Sequence, residues 1–193
     1  MKKDHLLHYR DSSVNTPPGG RGRGGGKDLR AANLMKKPLT EIAIPKEEAI
    51  FFLDKRGFWR HKEQGKFEHR KIINYFHSRI RKDDKGYHLR QKLGNCIEKV
   101  YFYHEDTALF VFDVIKGEEI FLVLNTQKRV KLRPRRLFVN DDSLYINFGE
   151  HRIKFTDHSL IRISDLLDYE ADDYFITVKG RRYKIGQLKK ETV

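Results

Sequence analysis

One cysteine (Cys96), one tryptophan (Trp59) and two methionines are all that 193 residues hold of these types. A lone cysteine excludes an internal disulfide and a thiolate metal cluster, and Cys96 reads as a small buried or half-buried side chain. No apolar run approaches the ~20 residues of a membrane helix. The N-terminus has basic residues but no apolar stretch behind them, so a signal peptide is not expected either. These absences predict a cytoplasmic protein without a membrane partner. Catalytic signatures are missing too: no HExxH, no CxxC, no GxSxG and no Walker-type phosphate loop. The nine histidines are dispersed, and a zinc site needs three or four converging ligands. The most chemically suggestive triplet is His104-Glu105-Asp106, since a histidine beside carboxylates can move protons. In a turn between two strands, however, the commoner reading of this triplet is a hydrogen-bonded turn. Neither an enzyme nor a cofactor is expected.

Positive charge is abundant. The net charge is +13. Residues 1–38 hold nine Lys and Arg against three Asp, so +6 belongs to them and +7 to the remainder. This segment contains Pro17-Pro18-Gly19-Gly20 and then RGRGGG from Arg21 to Gly26. Its apolar residues are too sparse to pack, which predicts a disordered, Arg/Gly-rich basic tail. Within the remainder, KRVKLRPRR from Lys128 to Arg136 is the densest basic cluster. It reads as a solvated strand edge, with Pro134 and the charges blocking edge pairing. The alternative is a nucleic-acid surface made of Arg21, Arg23 and Lys27 in the tail and Lys128, Arg129, Lys131, Arg133, Arg135 and Arg136 in the cluster.

The most informative stretch runs from Phe51 to Arg90. Ala49 to Leu53 is rich in strand formers, Asp54-Lys55-Arg56-Gly57 is turn chemistry, and Phe58-Trp59 resumes the apolar pattern as a hairpin. Ile72, Ile73, Phe76 and Ile80 fall at helical spacing, which predicts a helix ended by Asp83-Asp84-Lys85-Gly86. Tyr87 and Leu89 then alternate with His88 and Arg90 as in a strand. A second copy follows over Leu137–Ile185, with Thr156 and Asp157 as N-cap candidates for its helix. Phe52, Asp54 and Trp59 match Phe138, Asn140 and Tyr145 at an offset of 86. His69, Ile72, Asp83, Asp84, Tyr87 and Leu89 match His158, Ile161, Asp172, Asp173, Ile176 and Val178 at 89. One three-residue insertion reconciles the offsets. Between the copies, Ala108–Ile115, Ile120–Leu124 and Val130–Leu132 read as an antiparallel meander. The expected fold is α+β: two related β-rich lobes, each hairpin–helix–strand, joined by that meander. The expected divisions are the tail at 1–38, an N-terminal lobe with the meander at 39–134, and a C-terminal lobe at 135–193.

Several segments carry a resemblance. Trp59, the run Phe67 to Phe76, Asp83 to Leu89, and Glu105 to Phe110 resemble an uncharacterised bacterial domain-of-unknown-function family. The resemblance implies a duplicated two-lobe core, a C-terminal lobe like the pleckstrin homology fold, and a pocket between lobes for a nucleotide-like ligand in signalling. His69 stands where the family pattern has arginine, and Thr107-Ala108 where it has alanine-proline. The sequence therefore predicts a non-enzymatic ligand-binding or regulatory module. Its candidate site is His69, Arg70 and His104-Glu105-Asp106, with Trp59 as a wall. A protein partner is not specified.

Overall fold

The structure is a computed structural model and describes residues 39–188. The tail, with Arg21, Arg23 and Lys27, lies outside the described residues. The remainder is β-rich, with two helices. In chain order the elements begin with β1 (Thr40–Ile44), β2 (Phe51–Leu53), β3 (Trp59–His61), β4 (Gly65–Lys66) and helix α1 (Arg70–Arg79). Then come β5 (Ile80–Asp83), β6 (Gly86–Leu93), β7 (Cys96–Tyr101), β8 (Leu109–Ile115), β9 (Phe121–Leu124) and β10 (Arg129–Lys131). A 3-10 turn at Pro134–Arg136 leads to β11 (Leu137–Asn140), β12 (Ser143–Phe148), β13 (His151–Phe155) and helix α2 (Asp157–Ile163). The chain closes with β14 (Leu167–Glu170), β15 (Asp173–Val178), β16 (Arg181–Lys184) and β17 (Gly186–Gln187).

These strands form four sheets. A seven-stranded sheet has the order β10-β9-β8-β13-β12-β11-β17. Its central pair, β8 and β13, is parallel, with Leu109 opposite Ile153 and Val111 opposite Phe155. A four-stranded sheet has the order β1-β7-β6-β5, and two three-stranded sheets hold β2-β3-β4 and β14-β15-β16. One hydrophobic core spans the set. Trp59 is 1% exposed and packs edge-on against Phe76 of α1 at 5.2 Å and Phe102 at 4.9 Å between ring centres. Such aromatic pairs add to the area they bury.

Helix α1 has no acidic residue in its first turn, so its N-terminus relies on His69, whose Nδ1 accepts from the Ile72 N–H at 3.4 Å. The helix ends earlier than its apolar spacing predicts. Ile80 has an extended backbone, φ −60° and ψ 126°, and pairs with Leu89 across a hairpin. Asp83-Asp84-Lys85-Gly86 is the turn of that hairpin and does not stop the helix. Ile80 satisfies the burial demand of either period, so spacing alone could not place it.

The order hairpin, third strand, helix, hairpin occurs twice, at β2–β6 and at β11–β15. The helix starts Arg70 and Asp157, the strand starts Ile80 and Leu167, and the strand starts Gly86 and Asp173 are each 87 residues apart. Buried Leu89 therefore corresponds to buried Ile176. The offset of 89 pairs Asp83-Asp84 with Asp172-Asp173, which sit differently, and Leu89 with Val178, which the strand register does not. Asp84 lies in a turn completed by Gly86 at φ +120°, whereas Ala171 and Asp172 both take positive φ, the two-residue hairpin geometry.

Candidate functional site

The β2–β3 turn is built by Asp54. One carboxylate oxygen accepts from the backbone N–H groups of Arg56 and Phe58, both at 2.9 Å, and the other accepts from Arg60 Nε at 2.7 Å. Side chains of aspartate at the first position of a turn commonly hold it this way. The turn is then tied to the 104–106 loop. Leu53 N–H donates to Tyr103 O, Glu105 N–H donates to Leu53 O, each at 3.0 Å, and Lys55 N–H donates to Glu105 Oε2 at 2.9 Å.

Asp106 points the other way, onto β12 and β13. Its carboxylate accepts from Tyr145 Oη at 2.7 Å, Arg152 Nη2 at 2.7 Å and Lys154 Nζ at 2.9 Å. Burial works to raise the Asp106 carboxyl, but the hydrogen bonds from Lys154 and Tyr145 outweigh it and hold it below the usual carboxylate range. The two cations also lie over the Tyr145 ring, 5.2 and 5.6 Å from its centre. Arg152 remains 43% exposed while Lys154 is nearly covered.

Together these pieces border an open cleft of about 870 Å³. One side is the β2–β3 turn (Lys55, Arg56, Gly57, Phe58). The other is the β11–β12 turn (Asn140 to Ser143), β13 and the start of α2. Thr156 caps α2 by accepting from the Ser159 N–H at 3.3 Å, and its hydroxyl donates to Val111 O at 2.9 Å, which pins the helix start to β8. Phe110, Phe112, Tyr145 and Phe155 contribute aromatic lining, and Phe58 is 59% exposed at the rim. The charge is mixed: Lys55, Arg56, Arg152 and Lys154 against Glu105, Asp106, Asp141, Asp142 and Asp157. The side chains of Lys55 and Arg56 have no carboxylate partner among the described residues. A smaller recess of about 400 Å³ lies across the same turn, and Lys55 and Arg56 line it as well, with Arg60, His61 and Lys62. Such an arrangement can hold a polar ligand that carries an anionic group. Among the described residues no three metal-ligating side chains converge.

Of the candidate ligand-site residues named from sequence, only Glu105 and Asp106 line the cleft. Trp59 is enclosed in the core, its Nε1 without a hydrogen-bond partner, because the hairpin that carries it folds its apolar side onto α1. His69 is spent on capping α1, and Arg70 is exposed on the first turn of that helix. His104 sits between Tyr87 and Phe102, and burial lowers its pKa. Sequence reasoning missed Lys55, Arg56, Arg152 and Lys154. The first two looked like turn filler. The last two carried a signal: in β13 they alternate with buried Ile153 and Phe155 and so share one face.

No protein-family model matches the chain, and no curated protein does. Two solved structures resemble it. A DUF1285 family protein from Shewanella baltica is 17% identical, with 57% of this chain and 87% of that one covered at a TM-score of 0.42. A DUF1285 family protein from Silicibacter pomeroyi is 14% identical, with 83% of this chain and 90% of that one covered at a TM-score of 0.50. The chain is thus similar in fold to the Silicibacter pomeroyi member of an uncharacterised domain-of-unknown-function family.

Proposed function

We propose that the chain is a non-enzymatic ligand-binding or regulatory module of the bacterial cytoplasm, taking a nucleotide-like ligand in the cleft between two related halves. The single observation that supports this reading most is the pairing of turns across the cleft. The β2–β3 turn and the β11–β12 turn occupy the same place in the two repeats of the element order, and both border the cleft. A duplicated unit that meets its copy turn to turn encloses a recess of this kind, and ligand sites favour such boundaries.

The chemistry is divided within the cleft. Lys55, Arg56 and Arg152 suit a phosphate, with the two arginines able to bind it through paired N–H groups. Asp142 and Asp157 suit hydroxyl or amino groups on the other part of the ligand. The exposed ring of Phe58 offers a face for an aromatic base. A role in signalling rests on the family resemblance alone.

The test is a thermal-shift and calorimetric screen against nucleoside mono- and triphosphates and cyclic dinucleotides. A ligand present at 100 times its Kd adds about 2.7 kcal/mol of stability, a readily visible rise in Tm. Lys55→Gln with Arg56→Gln is expected to weaken binding at least tenfold at unchanged Tm of the free protein, while Arg70→Ala leaves it unaltered. A panel in which nothing raises Tm, or a double variant that binds as the parent does, rejects the cleft.

A further inference from the structure

The far edge of the seven-stranded sheet carries a different surface. Strand β10 has β9 on one side only, so it is an edge strand. Val130 and Leu132 turn inward, Leu132 to 5% exposure. Arg129, Lys131 and Arg133, all exposed, therefore project from the opposite face in a row. On a strand such a row repeats about every 6.6 Å. The 3-10 turn then continues it: Pro134 is partly covered and Leu137 is buried, which leaves Arg135 and Arg136 outside.

The structure adds cations from a distant part of the sequence. Glu119 is paired with Lys131 of β10 and also with Lys179 of the β15–β16 turn, the latter at 3.7 Å. That shared carboxylate brings Lys179 and its exposed neighbour Arg181 to the same edge, and β16 packs against the 3-10 turn. Glu119 neutralises only one of the pair. Arg129, Arg135, Arg136 and Arg181 have no carboxylate partner among the described residues. Holding so many unpaired cations side by side is repulsive, and arginine is the side chain whose planar donors match two phosphate oxygens at once.

We infer that this edge binds the phosphodiester backbone of single-stranded nucleic acid, without reading its sequence. A narrow band of cations along one sheet edge matches a linear polyanion better than the plane of an anionic membrane. Among the described residues no α-helix stands at this edge to enter a duplex groove. Contacts of this type release counterions, so affinity falls steeply with salt.

The experiment is fluorescence anisotropy of a labelled mixed-sequence RNA 20-mer with the full chain at several salt concentrations. Arg129→Gln, Arg135→Gln and Arg136→Gln are combined in one variant. Lys71→Gln, Arg90→Gln and Lys92→Gln, exposed on α1 and β6, form a control with the same loss of charge. The edge variant is expected to bind at least tenfold more weakly, with a log–log salt slope shallower by about 2 for three lost single-strand contacts. The control is expected to stay within twofold of the parent. Equal losses in both variants, or no loss in the edge variant, overturn the assignment. So does preference for anionic phosphatidylserine vesicles or for duplex over the single strand. The cleft variants at Lys55 and Arg56 are read separately with nucleotides, so either site can fail without the other.

Discussion

Asp106 shows how one side chain can set the character of a site it does not serve as a ligand. It collects a tyrosine hydroxyl and two cations from adjacent residues of one face of the sheet. Without it Arg152 and Lys154 would repel one another beside a nearly buried Tyr145. Hydrogen bonds to charged groups are worth about 1.5–3 kcal/mol each, but Arg152 is well exposed and its share is screened. Asp106→Asn keeps the shape and removes the charge. It should cost about 1–3 kcal/mol in urea denaturation, with the secondary structure seen by circular dichroism retained. A variant as stable as the parent would mean the node is incidental. Asp106 was half legible in the sequence. The triplet marked it as a polar loop residue, but its partners lie 39 to 48 residues away, beyond any local pattern.

At the scale of elements, the β2–β3 turn is the sharpest example of a conformational demand. Gly57 takes φ +86°, and a Cβ there would stand 3.0 Å from Cγ of the fully buried Phe110. Gly65, at the next turn, takes φ +73° but has nothing within 4 Å of where its Cβ would be. Gly65→Ala therefore meets only backbone strain, about 1 kcal/mol. Gly57→Ala meets that strain and an overpacked ring, about 2–4 kcal/mol together. Comparing the two melting curves isolates the ring contact; equal losses would show that Phe110 moves aside freely. Most elements were legible from period and turn chemistry: the turn at Asp54–Gly57, the strands of the meander, and Thr156 as a cap. Those that were not have physical reasons. Strand β1 (TEIAI) is largely exposed, so its alternation marks no core face, and it is held by parallel pairing to β7, which no local signal announces. The extra strand β5 was absorbed into the predicted helix because Ile80 fits both periods.

For the whole molecule, acid is the informative stress. His77 is buried between Trp59 and Phe112, with its Nδ1 3.1 Å from Asn125 Nδ2. Asn125 in turn donates to Ala108 O and accepts from the Phe110 N–H, so the node joins α1 to β8. Burial lowers His77 to about 4. In the unfolded chain a histidine titrates near 6.5. Between those values the unfolded state holds a proton that the folded state refuses, so stability falls as pH drops from about 6.5 to 4. The loss amounts to about 2 kcal/mol by pH 5. Asp83 belongs to a lower window. Burial tends to raise it, but hydrogen bonds from Tyr101 and Lys99 prevail and bring it to about 2, so its stabilisation is lost only below about pH 4. His77→Gln keeps an acceptor for Asn125 and cannot titrate. Urea midpoints at pH 7.5 and pH 5 should lie closer together in this variant than in the parent. An unchanged gap would assign the acid sensitivity to the other buried histidines, such as His88.

The parallel seam at the centre of the large sheet has a consequence for how the chain is made. Strand β8 (LFVFDVI) is almost entirely apolar and mostly buried. On a growing chain β9 follows at once and covers one flank. The other flank belongs to β13, and β10, β11 and β12 must all leave the ribosome first. Until Phe155 has emerged, the stickiest strand of the protein is complete on one side and bare on the other. This is the interval in which a chaperone, or a neighbouring nascent chain, would find it.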